Sequence, residues 1–155
     1  MRRRDFVALF GSVAVAWPGV IRAEEGYRRL LPLLIDLPGW TGTQPTGTQE
    51  EGKSGPVVTA SRGYTQGDAV VRTSLSSGTA DPSKGHLYIN VKADKRTSTI
   101  DGFEVTTYAT PVVVSITIAV RRDATLSFLF NGVSEGDAMA IARKFDWKQI
   151  QALLE

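Results

Sequence analysis

The chain has 155 residues with 18 Lys or Arg, 16 Asp or Glu and one His, giving a formal net charge of +2. It contains no cysteine, which excludes disulfides, thiol catalysis, iron–sulfur clusters and cysteine-ligated zinc. One histidine and two methionines are too few for the ligand sets that copper, zinc or haem usually take from proteins. The composition therefore predicts neither a metal nor another cofactor.

Residues 1–23 are organised like a bacterial export signal. They contain, in order, a run of arginines, an apolar stretch and a small residue at the expected cleavage point before Glu24. Arg3, Arg4 and Phe6 resemble the core of the twin-arginine motif, which directs folded proteins to a dedicated translocon. The resemblance covers this segment only. It implies a cleaved twin-arginine signal peptide at 1–23 and a protein that is periplasmic or secreted.

Residues 24–155 are the length of one ordinary domain, 132 residues. The signal holds four of the basic residues and one of the acidic ones, so the remainder has 14 bases, 15 acids and a formal charge of −1. This charge gives no support for a nucleic-acid partner. The apolar stretch of the signal is shorter than the roughly 20 residues of a spanning helix, so we expect no stable membrane span after cleavage.

The first part of this domain is rich in Pro and Gly. Pro32 and Pro38 interrupt the apolar segment 24–40, which favours a short helical turn followed by a strand or loop. Residues 41–56 have the composition of a linker, because Thr-Gly-Thr-Gln occurs twice around Pro45 and no large apolar residue is present. We therefore predict a flexible loop at 41–56, with a lid over a site as the alternative.

From Pro56 onward apolar and polar residues alternate, as they do in half-buried strands. A turn at 65–68 joins two strands into a hairpin, and a turn-rich segment follows at 77–85. The charged residues 93–96 are predicted to form a solvated hairpin turn. Further strands are predicted at 86–92, 102–109, 112–121 and 125–130.

The C-terminal segment changes to helical spacing. Ser134, followed by Asp137 three residues later, resembles a capping box, and Asp146 with Gln149 starts a second helical segment. The fold class predicted for 24–155 is α+β, with an antiparallel sheet of about six strands and a C-terminal helix packed on one face.

One motif points to nucleotide binding but lacks its context. Residues 47–54 match the phosphate-loop formula G-x-x-x-x-G-K-[ST]. The motif works only between a buried strand and a helix, whereas Pro56 and a β-branched run follow it here, and Glu50 and Glu51 would repel phosphate. We therefore expect no nucleotide at 47–54.

No catalytic constellation is recognisable. His86 is the only histidine and no G-x-S-x-G nucleophile elbow is present, so a serine hydrolase is not supported. Asp36, Asp101 and Glu104 lie in or beside predicted strands and remain candidates for a distributed carboxylate site, or are solvated strand ends. No residue is assigned a catalytic role.

Aromatic and polar residues indicate a binding surface instead. Tyr88 and Tyr108 fall on the more polar faces of their predicted strands, next to His86 and Asn90, and Trp40 could complete the patch. The alternative is that Trp40 and Trp147 close the core at the two ends of the domain.

The sequence thus predicts an exported, non-enzymatic binding or accessory module of the cell envelope. Its partner would be a small ligand or an envelope protein, and a hydrolase or a purely structural protein is the alternative.

Overall fold

The computed structural model describes residues 26–78 and 93–155, which form one antiparallel sheet with two short helices against it. The strands in this part of the chain are β1 (Thr41–Gly42), β2 (Thr46–Gly52), β3 (Gly55–Gln66), β4 (Ala69–Ser77), β5 (Asp94–Ile100), β6 (Phe103–Ala109), β7 (Val113–Arg121) and β8 (Ala124–Asn131). Their order is β1-β3-β4-β8-β7-β6-β5, and β2 also pairs with β3. The two α-helices after the sheet are α1 (Glu135–Ala142) and α2 (Trp147–Leu153), and a short 3-10 helix (Leu31–Leu33) precedes β1 in the segment for which a helical turn is predicted.

The antiparallel sheet and the C-terminal helices agree with the predicted architecture in outline. The described residues contain eight strands, where about six were predicted, so the chain is more strongly β than a typical α+β domain. The predicted signal peptide at 1–23 and the strand predicted at 86–92 lie outside the described residues.

Three strands, β1, β2 and β5, occupy segments for which the sequence predicts a loop or a turn. Residues 41–56 form β1, β2 and the first residues of β3, and β5 begins at Asp94, inside the predicted charged turn. β2 and β5 each lie at an edge of the sheet, and most of their residues are exposed. A strand that buries neither face needs no alternation of apolar and polar residues, so its sequence carries no strand signal.

Alternation along the central strands builds the core on one face of the sheet. The face carries Ala60, Leu75, Leu126, Ile118 and Val105, which are paired in succession across β3, β4, β8, β7 and β6 and are all fully buried. Both helices contact β7. This face is called the helix face below.

The two helices begin at the residues that the sequence indicates. The Ser134 hydroxyl accepts a hydrogen bond from the Asp137 amide, and the Asp146 carboxylate accepts one from the Gln149 amide. These caps satisfy amides at the start of each helix, which have no partner inside it. Between the helices Phe145 packs edge-on against Phe128 of β8, with ring centroids 4.9 Å apart.

The segments on both sides of β1 are tied to the sheet by Arg62 and Tyr64 of β3. The Arg62 guanidinium donates to the carbonyls of Leu34 and Thr43, at 2.8 Å each, and pairs with the Asp36 carboxylate. The Tyr64 hydroxyl donates to the Ile35 carbonyl at 2.7 Å. We call Arg62, Tyr64 and these four partners the N-terminal clamp.

Because the Tyr64 hydroxyl belongs to the clamp, we expect the protein to lose stability at alkaline pH. Burial raises the pKa of the Tyr64 phenol from 10.0 to about 12. The unfolded chain therefore ionises this group first as the pH rises, so its contribution to stability is complete below about pH 10 and is lost between about pH 10 and 12. We expect Tyr64→Phe to flatten that part of the pH dependence of the free energy of unfolding, measured by urea denaturation. Equal slopes for the two proteins would contradict this assignment.

Candidate functional site

The face of the sheet opposite the helices carries an unusual row of hydroxyl side chains. Residues that pair directly across an antiparallel ladder share a face, at strand spacings of about 4.8 Å. One such series crosses seven strands and consists only of Ser and Thr: Thr46, Ser61, Ser74, Ser127, Thr117, Thr106 and Thr97. We call these residues the hydroxyl row.

Access to the row differs along its length. Ser127 and Thr117 in the middle are 8% and 5% exposed, whereas Ser61 and Ser74 are half-buried and Thr46 is exposed. Thr106 is half-buried and Thr97 is exposed, so the row is buried in the middle and accessible at both ends.

At the end formed by β2, β3 and β4 the row opens into a cleft of about 660 Å³. The described residues that line it are Thr43, Gln44, Thr46, Thr59, Ser61, Arg62, Gly63, Arg72, Thr73, Ser74 and Ser76. We call them the hydroxyl cleft. Seven of the eleven are Thr or Ser, Arg62 and Arg72 are the only ionisable groups among them, and none is a carboxylate.

One wall of the cleft forms where the pairing of the edge strands with β3 is interrupted around Pro45. β1 pairs with β3 through Gly42 and Tyr64, and β2 resumes the pairing at Thr46 and Ser61, so Gln44 and Pro45 stay outside the ladder. Proline has no amide hydrogen to donate, which makes it a natural point at which to leave a ladder. The Thr43 hydroxyl accepts a hydrogen bond from the Gly63 amide at 3.1 Å and fixes the segment over β3.

The two arginines of the cleft differ in what they contact. Arg62 is fully engaged in the N-terminal clamp, and its side chain is only 12% exposed. Arg72 is exposed and makes no hydrogen bond or ion pair to the residues of 26–78 and 93–155. Arg72 is therefore the cation of this cleft that is available to bind a ligand.

The aromatic patch predicted from the sequence is divided by the sheet. Trp40 lines a different cleft, of about 330 Å³, beside Val133, Asp137 and Lys144 at α1. Tyr108 lies on the hydroxyl face, where the Lys95 ammonium sits 5.7 Å from its ring centroid. Because these two residues face opposite sides of the sheet, they do not form one site. His86, Tyr88 and Asn90 lie outside the described residues.

The three candidate carboxylates are also separated. Asp36 belongs to the N-terminal clamp, and Asp101 lies in the turn between β5 and β6, 3.6 Å from Arg143. Glu104 is exposed on β6. Asp101 shares a cleft of about 450 Å³ with Asp146, but Asp146 caps α2 and Arg143, Lys144 and Lys148 line the same cleft. This arrangement gives structural roles to Asp36, Asp101 and Asp146.

Residues 47–54 do not adopt the geometry of a phosphate loop. They form most of β2 and the turn into β3, so a strand follows the motif where phosphate binding requires the start of a helix. Over 26–78 and 93–155, no three His, Asp or Glu side chains are grouped to hold a metal ion. In the same residues no helix has the length and apolar character needed to cross a membrane.

The hydroxyl cleft was not identified from the sequence, although its signal is present. Thr59 and Ser61, and likewise Ser74 and Ser76, place hydroxyls at alternate positions where solvent-facing strands commonly carry Lys or Glu. What the sequence lacks is the strand order that aligns these pairs. Comparisons of the chain with protein-family models, with curated proteins and with solved structures find no match.

Proposed function

We propose that this protein is an exported, non-enzymatic binding module of the bacterial cell envelope that holds a glycan in the hydroxyl cleft. The proposal of export rests on the resemblance of residues 1–23 to a twin-arginine signal. The proposal of binding rests on the lining of the cleft.

The lining favours binding over catalysis. A general acid or base must exchange a proton near neutral pH, and arginine does not, because it stays protonated in proteins. Arg62 and Arg72 are the only ionisable groups that the described residues bring to the hydroxyl cleft. The described residues of the cleft can therefore hold a ligand but supply no group that transfers protons near neutral pH, and this observation carries the proposal.

The same lining favours a ligand rich in hydroxyls. Ser and Thr hydroxyls each donate one hydrogen bond and accept others, and they rotate to suit the partner. Sugar hydroxyls have the same dual character, so a glycan can satisfy the cleft without burying a charge. A volume of about 660 Å³ lies within the usual range for ligand sites.

Removal of cleft hydroxyls tests the proposal. We expect Ser61→Val with Ser74→Val to weaken oligosaccharide binding about tenfold or more, since each lost hydrogen bond contributes about 0.5–1.5 kcal/mol. Valine retains strand propensity. The measurement is calorimetric titration with tetrasaccharides that differ in the arrangement of their hydroxyls.

Thr97→Val is the matched control, because Thr97 belongs to the same row but lies on β5, far from the cleft. It should leave the affinity unchanged. The proposal fails if no tetrasaccharide binds the parent protein, or if the double variant binds as tightly as the control.

A further inference from the structure

The positive charge of Arg72 favours a glycan that carries negative charge. We propose that the hydroxyl cleft selects an acidic glycan and that Arg72 binds the carboxylate of one of its sugar residues. This inference rests on the proposed function and adds the ligand's charge and the residue that recognises it.

The surroundings of Arg72 do not neutralise it. Its same-face neighbours are Gly63 and Leu129 on the adjacent strands and Val70 and Ser74 along β4, and none of them is acidic. By contrast Arg62, Arg96, Arg121 and Arg143 each contact a carboxylate. Cross-strand neighbours of opposite charge commonly stabilise a sheet surface, so the absence of such a partner here leaves the guanidinium available to an anion.

The hydroxyls beside Arg72 are placed to recognise the sugar that bears the carboxylate. Ser74 is two residues away on the same strand face, at about 7 Å, and Ser61 pairs with Ser74 across the ladder. A sugar ring spans such a distance. Its carboxylate can take two parallel hydrogen bonds from the guanidinium fork while its hydroxyls meet Ser61 and Ser74.

Gly63 keeps the space next to Arg72 open. Among the described residues, a Cβ atom at this position would meet nothing closer than the Thr43 side chain at 3.7 Å, so packing against them does not require a glycine. A larger side chain here would instead project over the face between Arg72 and the segment at Thr43 and Gln44. The missing side chain therefore enlarges the cleft at the point where the carboxylate is expected.

A carboxylate fits this site better than a phosphate monoester. Arg72 supplies one positive charge, and Arg62 is already paired with Asp36. One guanidinium balances a single negative charge, whereas a phosphate monoester carries nearly two at neutral pH.

Uronic-acid tetrasaccharides and their methyl esters distinguish glycan binding in the cleft from recognition of a carboxylate by Arg72. Esterification removes the negative charge and keeps every hydroxyl. With galacturonate, glucuronate and mannuronate series, we expect at least one acid to bind about tenfold or more tighter than its ester, and to weaken as salt is added. Arg72→Gln should weaken the binding of the acid about tenfold or more and weaken the binding of the ester much less, so that the preference for the acid disappears. Arg122→Gln, which removes a charge at an exposed hairpin position, should change neither.

Each outcome decides one question. Equal binding of acid and ester, or no effect of Arg72→Gln, overturns the carboxylate assignment and leaves the glycan site standing. Tighter binding of a phosphorylated tetrasaccharide overturns the choice of carboxylate. Gly63→Val should weaken acids and esters alike, and unchanged binding by this variant removes the cleft from the recognition surface. Failure of every saccharide to bind overturns the proposed function itself.

Discussion

Arg62→Met is expected to lower the free energy of unfolding by about 2–4 kcal/mol. The substitution retains most of the aliphatic side chain and removes the guanidinium that bonds to the carbonyls of Leu34 and Thr43. The Thr43 bond is exposed, but the Leu34 oxygen loses its donor in a partly buried place, where an unsatisfied polar group costs more than the hydrogen bond contributes. The Asp36 contact adds little, because that carboxylate is 91% exposed.

The loss of stability should be large because the N-terminal clamp fixes a segment that contributes several side chains to the core. The segment that it fixes inserts Leu30, Leu34 and Leu37 into the core, each no more than 3% exposed. Loosening the segment exposes part of this apolar surface to water, at about 25 cal/mol per Å². Urea denaturation followed by circular dichroism measures the effect.

Arg72→Met is the matched control. Arg72 lies on the neighbouring strand but has no polar partner among the residues of 26–78 and 93–155, so its replacement should change stability by no more than about 0.5 kcal/mol. Arg62→Lys should recover only part of the loss, because one ammonium cannot reproduce the planar fork. Similar values for Arg62→Met and Arg72→Met would show that the clamp does not stabilise the fold.

How much of the fold the sequence predicts depends on burial. β7 and β8 bury one apolar face, and their alternating Val, Ile, Leu and Phe residues place both strands correctly. Ser134 and Asp146 mark the helix starts because capping is a local interaction between residues three apart. β2 and β5 were missed because most of their residues are exposed, so no face needs the alternation of apolar and polar side chains that indicates a strand.

The candidate site was less predictable for a different reason. The hydroxyl cleft requires β2, β3 and β4 to be aligned so that Thr46, Ser61 and Ser74 share one row. A shift of one residue in either pairing would turn those hydroxyls to the helix face. Register is a tertiary property, and a single sequence shows alternating hydroxyls without showing what lies beside them.

The predicted aromatic patch illustrates the same limit. The sequence pattern predicts that Tyr108 lies on the more polar face of β6, and the structure places it there on the same face as Thr106, two residues earlier. Trp40 precedes β1, outside any regular alternation, and its position beside α1 depends on the packing of the N-terminal segment. Local patterns assign a residue to a face of its own strand, but they do not say which residues from distant segments meet there.

Trp147→Ala is expected to lower the free energy of unfolding by about 3–5 kcal/mol, the range for truncation of a buried aromatic side chain. Trp147 is 5% exposed and meets Phe103 edge to face, with ring centroids 5.8 Å apart. Its indole nitrogen donates to the Ala142 carbonyl at 2.9 Å, which joins the end of α1 to the start of α2. The alanine variant would leave a cavity and an acceptor without its donor in the same place.

Two variants separate these contributions. Trp147→Phe keeps an aromatic ring and removes the indole donor, so it should cost less than the alanine substitution, about 1–3 kcal/mol. Trp40→Ala truncates the same side chain where it is only partly buried, and it should cost less than Trp147→Ala. If Trp40→Ala destabilises the protein as much as Trp147→Ala, the C-terminal helix is not the part that closes the core, and the segment before β1 has that role.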